Sequence, residues 1–349
     1  MNQKYKSLQI YRGLALALVV VHHITASSDY YLNYKLFNNF FGIGWSGVDF
    51  FFVLSGFIIT STHFNDIGDK SKLPLYLLKR FTRICPTYWI VASVALGVLL
   101  IIGKNKILDE TISISYIIKS YLLIPGIYPF FGVAWSLSYE VFFYLFFAIL
   151  IWRGFKFLIF SIPIYLIILF IVFEKQISNL FVDFLSSGYH IEFLLGCLVA
   201  IFAKKVNYEY NSFLMLLGII MFIGSYISCY LNYFDKVSFE SRILFGISSS
   251  IIIMESIKLK REFNSKWLYL LGDASFSLYL THTLIIPIFF KIISSKRLNF
   301  HVVPTNIYIM SFICLSVCII TSLLYFEYVE KPLTNNIFSK MKSKLINPI

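Results

Sequence analysis

Apolar residues along this chain come in long runs separated by short polar stretches. A hydrocarbon core about 30 Å thick takes roughly 20 residues of helix to cross. Runs of that order fall at 8–26, 42–63, 86–103, 134–152, 156–173, 188–203, 211–233, 241–258, 268–293 and 305–327. The pattern predicts an all-α integral membrane protein of about ten transmembrane helices, with 1–349 forming a single membrane domain and no soluble domain. A weaker run, ISISYIIKSYLLIPG at 112–126, is interrupted by Lys119 and closed by Pro125 and Gly126. It reads as an interfacial or re-entrant element. The first run has the Lys4 and Lys6 flank of a secretory signal, but Arg12 inside it and nine later runs predict a retained helix.

Composition agrees with that reading. The chain is 58% hydrophobic and 14% charged, against roughly 45–50% and about 25% in soluble domains. Its 37 Phe and 24 Tyr suit lipid-facing surfaces and interfacial belts. Cys85, Cys197, Cys229, Cys314 and Cys318 sit at apolar positions without CxxC or metal-type spacing, so they predict packing residues, no disulfide framework and no metal site. The net charge of +12 is scattered through short loops, which points to membrane lipid and topology and away from nucleic acid. Alternate loops carry nineteen Lys and Arg against nine, with Arg12 and Arg242 left inside span ends. The positive-inside rule therefore predicts both termini to be cytoplasmic.

Ionisable residues inside spans are costly and are candidates for function. Arg12 and His23 are eleven residues apart, close to three full turns, which puts them on one helix face about 16 Å apart. His22 points elsewhere. Asp49 in GVDFFFVLSGF and Glu140 in WSLSYEVFFYL each lie about seven residues in from the outer end of a span, at the expected depth of His23, and His282 in SFSLYLTH lies mid-span. At the inner surface Lys79, Arg80 and Arg83 precede the third span, with Pro86 suited to a first helical turn. His63, His190 and His301 fall near span ends and read as interfacial. Two poles result: arginines, which bind phosphate well, inside, and histidine with carboxylates, suited to base or nucleophilic chemistry, further out. Ser136, Ser138 and Tyr139 could add hydrogen bonds near Glu140, although serine in a membrane helix usually bonds its own backbone.

Arg12 followed after ten residues by His23, then GVDFFFVLSGF, RFTR, WSLSYEVFFYL, SFSLYLTH and YVEKP in that order, resembles the membrane acyltransferase-3 family, which includes O-acetyltransferases of lipopolysaccharide and exopolysaccharide. The resemblance covers nearly the whole chain. It implies about ten spans, cytoplasmic acyl-CoA, usually acetyl-CoA, as co-substrate with no bound cofactor, His23 as catalytic residue, and Arg12, Arg80 and Arg83 serving the donor. Asp49 or Glu140 would orient and charge-balance His23; His22, Ser136, Tyr139 and His282 are supporting candidates. The expected acceptor is a sugar hydroxyl of a glycan or lipid-linked glycan at a bacterial inner membrane. The rival reading, a proton-coupled transporter or flippase, would use His, Asp and Glu as a relay.

Overall fold

The computed structural model describes residues 6–102, 106–107, 110–177, 179–236, 238–259, 265–295 and 303–346. The order is α1 (Lys6–Leu32), α2 (Ser46–His63), α3 (Leu73–Ile102), the two-residue strands β1 (Lys106–Ile107) and β2 (Glu110–Thr111), α4 (Ile114–Tyr121), α5 (Ala134–Arg153), α6 (Lys156–Glu174), α7 (Leu180–Leu185), α8 (Tyr189–Lys205), α9 (Ser212–Tyr230), α10 (Phe239–Ser256), α11 (Lys266–Asp273), α12 (Ser275–Ile293), α13 (Pro304–Tyr325) and α14 (Lys331–Ile346). β1 and β2 pair antiparallel. Helix occupies all ten apolar runs, and the protein is an all-α membrane protein. Among the described residues eight helices are long and apolar enough to cross a membrane. The other two runs are α6, whose apolar stretch counts only Lys156–Val172, and α10, whose 18 residues include Glu240, Arg242 and Glu255.

Two boundaries differ from the sequence reading. α3 begins at Leu73, so Pro74 is its first-turn proline and Pro86 lies well inside the helix. The ninth run is two helices broken at Ala274. Just before the break α11 packs closely on α1: a Cβ on Gly272 would lie 2.1 Å from the carbonyl oxygen of Gln9. The element at 112–126 contains only the eight residues of α4, about 12 Å of helix, too short to cross.

Contacts divide the chain into two compact units, Met1–Ile58 with Ile191–Tyr328, and Ile59–His190 with Val329–Ile349. In the first, Leu8, Phe50, Val53, Leu54, Phe57, Ile252 and Ile253 form a buried core. α2 and α8 cross there at two glycines: a Cβ on Gly56 would meet the Phe193 oxygen at 2.1 Å, and one on Gly196 the Val53 oxygen at 1.9 Å. A short loop, Leu36–Ile43, turns through three consecutive left-handed residues, Phe37, Asn38 and Asn39. That conformation is unfavourable for side chains with a Cβ, and two tyrosines of α9 help to hold it: Tyr226 donates to the Phe40 carbonyl (2.9 Å) and Tyr230 to that of Asn38 (3.3 Å).

In the second unit α14 packs on α3, and α4 is tied to α3 by Tyr88 Oη donating to the Ser120 carbonyl (2.8 Å) and Trp89 Nε1 to that of Tyr121 (3.0 Å). α6 exposes Ile159, Phe160, Leu166 and Phe170, as a lipid-facing helix should. A π turn, Phe326–Glu330, joins α13 to α14, where Pro332 lacks the N–H that a normal ladder needs.

Candidate functional site

In the first unit the His23 ring lies 5.0 Å from His22 on its own helix and 5.0 Å from His282 of α12. His282 is fully buried, and its Nδ1 is 2.8 Å from the Leu278 carbonyl one turn earlier. A carbonyl only accepts, so Nδ1 carries the proton and Nε2 is a lone pair. That Nε2 has no hydrogen-bond partner among the described residues. His22 instead lies against the backbone of Phe41 and Gly42; the loop they belong to comes so close that a Cβ on Gly44 would be 3.0 Å from the His22 Cβ. Arg12 is half-buried and donates to Gln9 Oε1 (3.0 Å).

Asp49 does not share the level of His23. Gly44 packs beside His22 and Leu18, Gly47 beside Ala15 and Val19, and Phe50 beside Tyr11, so α2 runs down α1. Asp49, five residues past Gly44, is about 7.5 Å further toward Arg12. It is fully buried and accepts from Nη1 of Arg242 on α10 at 2.5 Å. Arg242 also donates to the Lys236 carbonyl (3.0 Å) and covers the Trp45 ring at 4.1 Å. Glu192 of α8, fully buried, sits beside Asp49 as a second carboxyl. Two carboxyls and one guanidinium balance in charge when the pair shares one proton.

In the second unit α3 carries Arg80 and Arg83 inside the helix. They are not in a surface loop before it, because α3 starts at Leu73, thirteen residues before the start that the hydropathy implies. Arg83 lies within electrostatic reach of Glu140, Tyr144 and Glu330, and Tyr144 donates to Glu140. Arg80 stands over the rings of Tyr76 (5.4 Å) and Tyr144 (5.3 Å), and its Nε is buried with no partner among the described residues. Exposed Lys70, Lys72 and Lys79 lie near the start of α3. The turn bearing the first two is capped by Asp69, which accepts from the Ser71 hydroxyl (2.6 Å) and N–H (2.9 Å). These two bonds hold the Asp69 carboxyl below its ordinary value.

The structure thus joins His23 to His282, and Arg83 to Glu140, but gives Asp49 to Arg242. Ser136 and Ser138 bond carbonyls of their own helix, at Val133 (3.5 Å) and Ala134 (3.4 Å). Tyr139 stacks on Phe184 at 4.1 Å. His63 and His190 are not simple interfacial side chains: His63 is 4% exposed, and His190 Nε2 donates to the Phe184 carbonyl (2.9 Å) among the rings of Tyr139, Phe142 and Phe184. His301 lies outside the described residues. Glu192 and Asp66 are not among the sequence candidates, and Arg242 and His63 enter there only as a span-end arginine and an interfacial histidine. The signal for Glu192 and Arg242 was a lone carboxylate and a lone arginine inside spans; for His63 and Asp66 it was an acid three residues after a histidine. Among the described residues no group of three or more His, Cys, Asp or Glu is arranged to hold a metal ion.

Residues 5–325 match the acyltransferase-3 family model, described as "Acyltransferase domain". The chain belongs to this family. The "Exopolysaccharide production protein ExoZ" of Rhizobium meliloti (strain 1021) is 33% identical to it over 118 residues, 31% of this chain and 34% of that protein. The chain therefore spans about a third of the length of the curated relative it matches. No solved structure matches. Within the acyltransferase-3 family model lie both histidines of the His23–His282 pair and all of α3 and α5.

Proposed function

We propose that this protein is a multi-pass O-acyltransferase of a bacterial inner membrane. It moves an acyl group, most simply acetyl, from cytoplasmic acyl-CoA to a sugar hydroxyl of a surface polysaccharide, lipopolysaccharide or lipid-linked precursor. The observation that carries this reading is the buried Nε2 lone pair of His282 beside His23. The two rings are not hydrogen-bonded in this structure; in the proposed mechanism an N–H of His23 turns to that lone pair as substrate binds, which leaves the other His23 nitrogen as a base. That nitrogen takes the proton of the acceptor hydroxyl as the oxygen attacks the thioester; the carbon–sulfur bond breaks and the proton passes to the leaving thiolate. The same nitrogen can instead carry the acyl group in a two-step route. Family membership and the polysaccharide-related name of the relative support transferase chemistry over the transporter reading.

Arg80 and Arg83 suit the donor's phosphates. A guanidinium whose Nε is buried without an acceptor lacks a partner that an anion supplies. Replacing Arg80 or Arg83 by Ala is expected to raise the KM for acetyl-CoA about tenfold or more, a lost bond to a charged group being worth about 1.5–3 kcal/mol, with acceptor KM nearly unchanged. Steady-state release of CoA thiol at varied donor and acceptor reads both constants, and unaltered donor KM in both variants removes these residues from the donor site.

Direction follows from α1. With the amino terminus cytoplasmic, Arg12 is near the inner surface and His23 about 16 Å deeper, a reach comparable to the extended arm of CoA. Donor offered only at the cytoplasmic face of sealed, oriented vesicles is expected to acetylate acceptor confined to the other face. Product formed only when both share the cytoplasmic face rejects the crossing and leaves the transferase intact.

A further inference from the structure

We propose that His63, anchored by Asp66, is a positioning residue that fixes the Arg80 guanidinium for binding the phosphates of the acyl donor. This rests on the donor role of Arg80 given above. All residues concerned lie in the second unit.

The hydrogen bonds leave one arrangement of protons. Arg80 Nη2 is 3.0 Å from His63 Nε2, and a guanidinium only donates. His63 Nε2 therefore accepts, and the ring proton is on Nδ1, which donates to Asp66 Oδ2 at 2.7 Å. Asp66 thereby selects the tautomer that can receive Arg80. The ring is held edge-on against Tyr76 at 5.0 Å, and Tyr76 is itself pinned by donating to the Tyr144 carbonyl (3.1 Å) and by stacking on Phe147. One end of the guanidinium is thus tied to an imidazole and its faces are set by two tyrosine rings. Its Nε–H has no acceptor among the described residues. A free arginine side chain would lose considerable rotamer entropy on binding an anion; this one has already lost it.

The same geometry carries a pH signature. Protonated His63 presents an N–H where Arg80 also presents an N–H, so the contact is lost and two cations face each other. The charged and titratable groups around the ring are Asp66, Lys79, Arg80 and the hydroxyls of Tyr76 and Tyr144.

The test separates side chains by where they place an acceptor. In His63→Gln the amide oxygen reaches the position of Nε2; in His63→Asn it reaches only that of Nδ1. Direct titration of acetyl-CoA into the purified full-length chain in nanodiscs gives the dissociation constant without requiring turnover. His63→Asn and His63→Ala are expected to weaken acetyl-CoA about tenfold or more, while His63→Gln stays within about threefold of the parent. Donor affinity of the parent should fall on acidification, and His63→Gln should lose that dependence. Equal affinity in the Asn and Gln variants overturns the proposal, as does an unchanged pH dependence in Gln. If Arg80→Ala binds acetyl-CoA normally, the donor reading fails and this inference with it. If Arg80→Ala is impaired and His63→Asn is not, only the inference about His63 fails. The Asn and Gln comparison stands even where the Ala variant does not fold.

Discussion

His23→Ala should abolish acyl transfer while the protein remains inserted and keeps its thermal transition, and His22→Ala should keep substantial activity. Removing a positioned base costs about 10²–10⁴ in rate, more if the imidazole also carries the acyl group. The asymmetry between neighbours follows from their surroundings: His23 meets a second imidazole with a free lone pair, whereas His22 packs into the backbone of the loop around Phe41 and Gly42. CoA-thiol release and product mass in matched membranes decide it. An inactive His22→Ala beside an active His23→Ala reverses the assignment.

The second large effect concerns stability. Arg242→Gln leaves two buried carboxyls with no cation, and breaking a buried pair in this way costs about 3–5 kcal/mol. Asp49→Asn should cost less, because Glu192 stands beside it and can take over as counter-ion to Arg242. The double variant Asp49→Asn/Arg242→Gln should recover part of the loss, since neither charge is then stranded. Thermal denaturation in one detergent ranks the three. Asp49→Asn proving as damaging as Arg242→Gln rules out the compensating role of Glu192.

Much of this architecture was legible because membrane helices advertise themselves one at a time. Each needs about 20 apolar residues regardless of its neighbours, and all ten runs became helix. The start of α3 was hidden for the opposite reason. LPLYLLKRFTRICPTYW carries Lys79, Arg80 and Arg83, which hydropathy reads as loop, yet Tyr76, Leu78, Thr82 and Ile84 on the same turns are buried. The arginines are tolerated there because imidazole, tyrosine faces and carboxylates meet them. The pairing of Asp49 with Arg242 joins positions 193 residues apart, and no local pattern encodes a contact of that span. Depth was legible only as far as each helix was assumed to begin at its first apolar residue. Asp49 shows the error: the level of a residue is set by what its helix packs on, here Gly44 and Gly47 against α1.

The crossing of α2 and α8 at Gly56 and Gly196 bears on those carboxyls. Asp49 is one turn before Val53, and Glu192 one turn before Gly196, so each acid hangs from the turn next to the point where the two backbones touch. Main-chain atoms already at contact distance bar α2 and α8 from closing further, so the seam sets how near the two acids can come. The nearest approach of the two acids is therefore a property of the helix seam, fixed by two residues that carry no side chain.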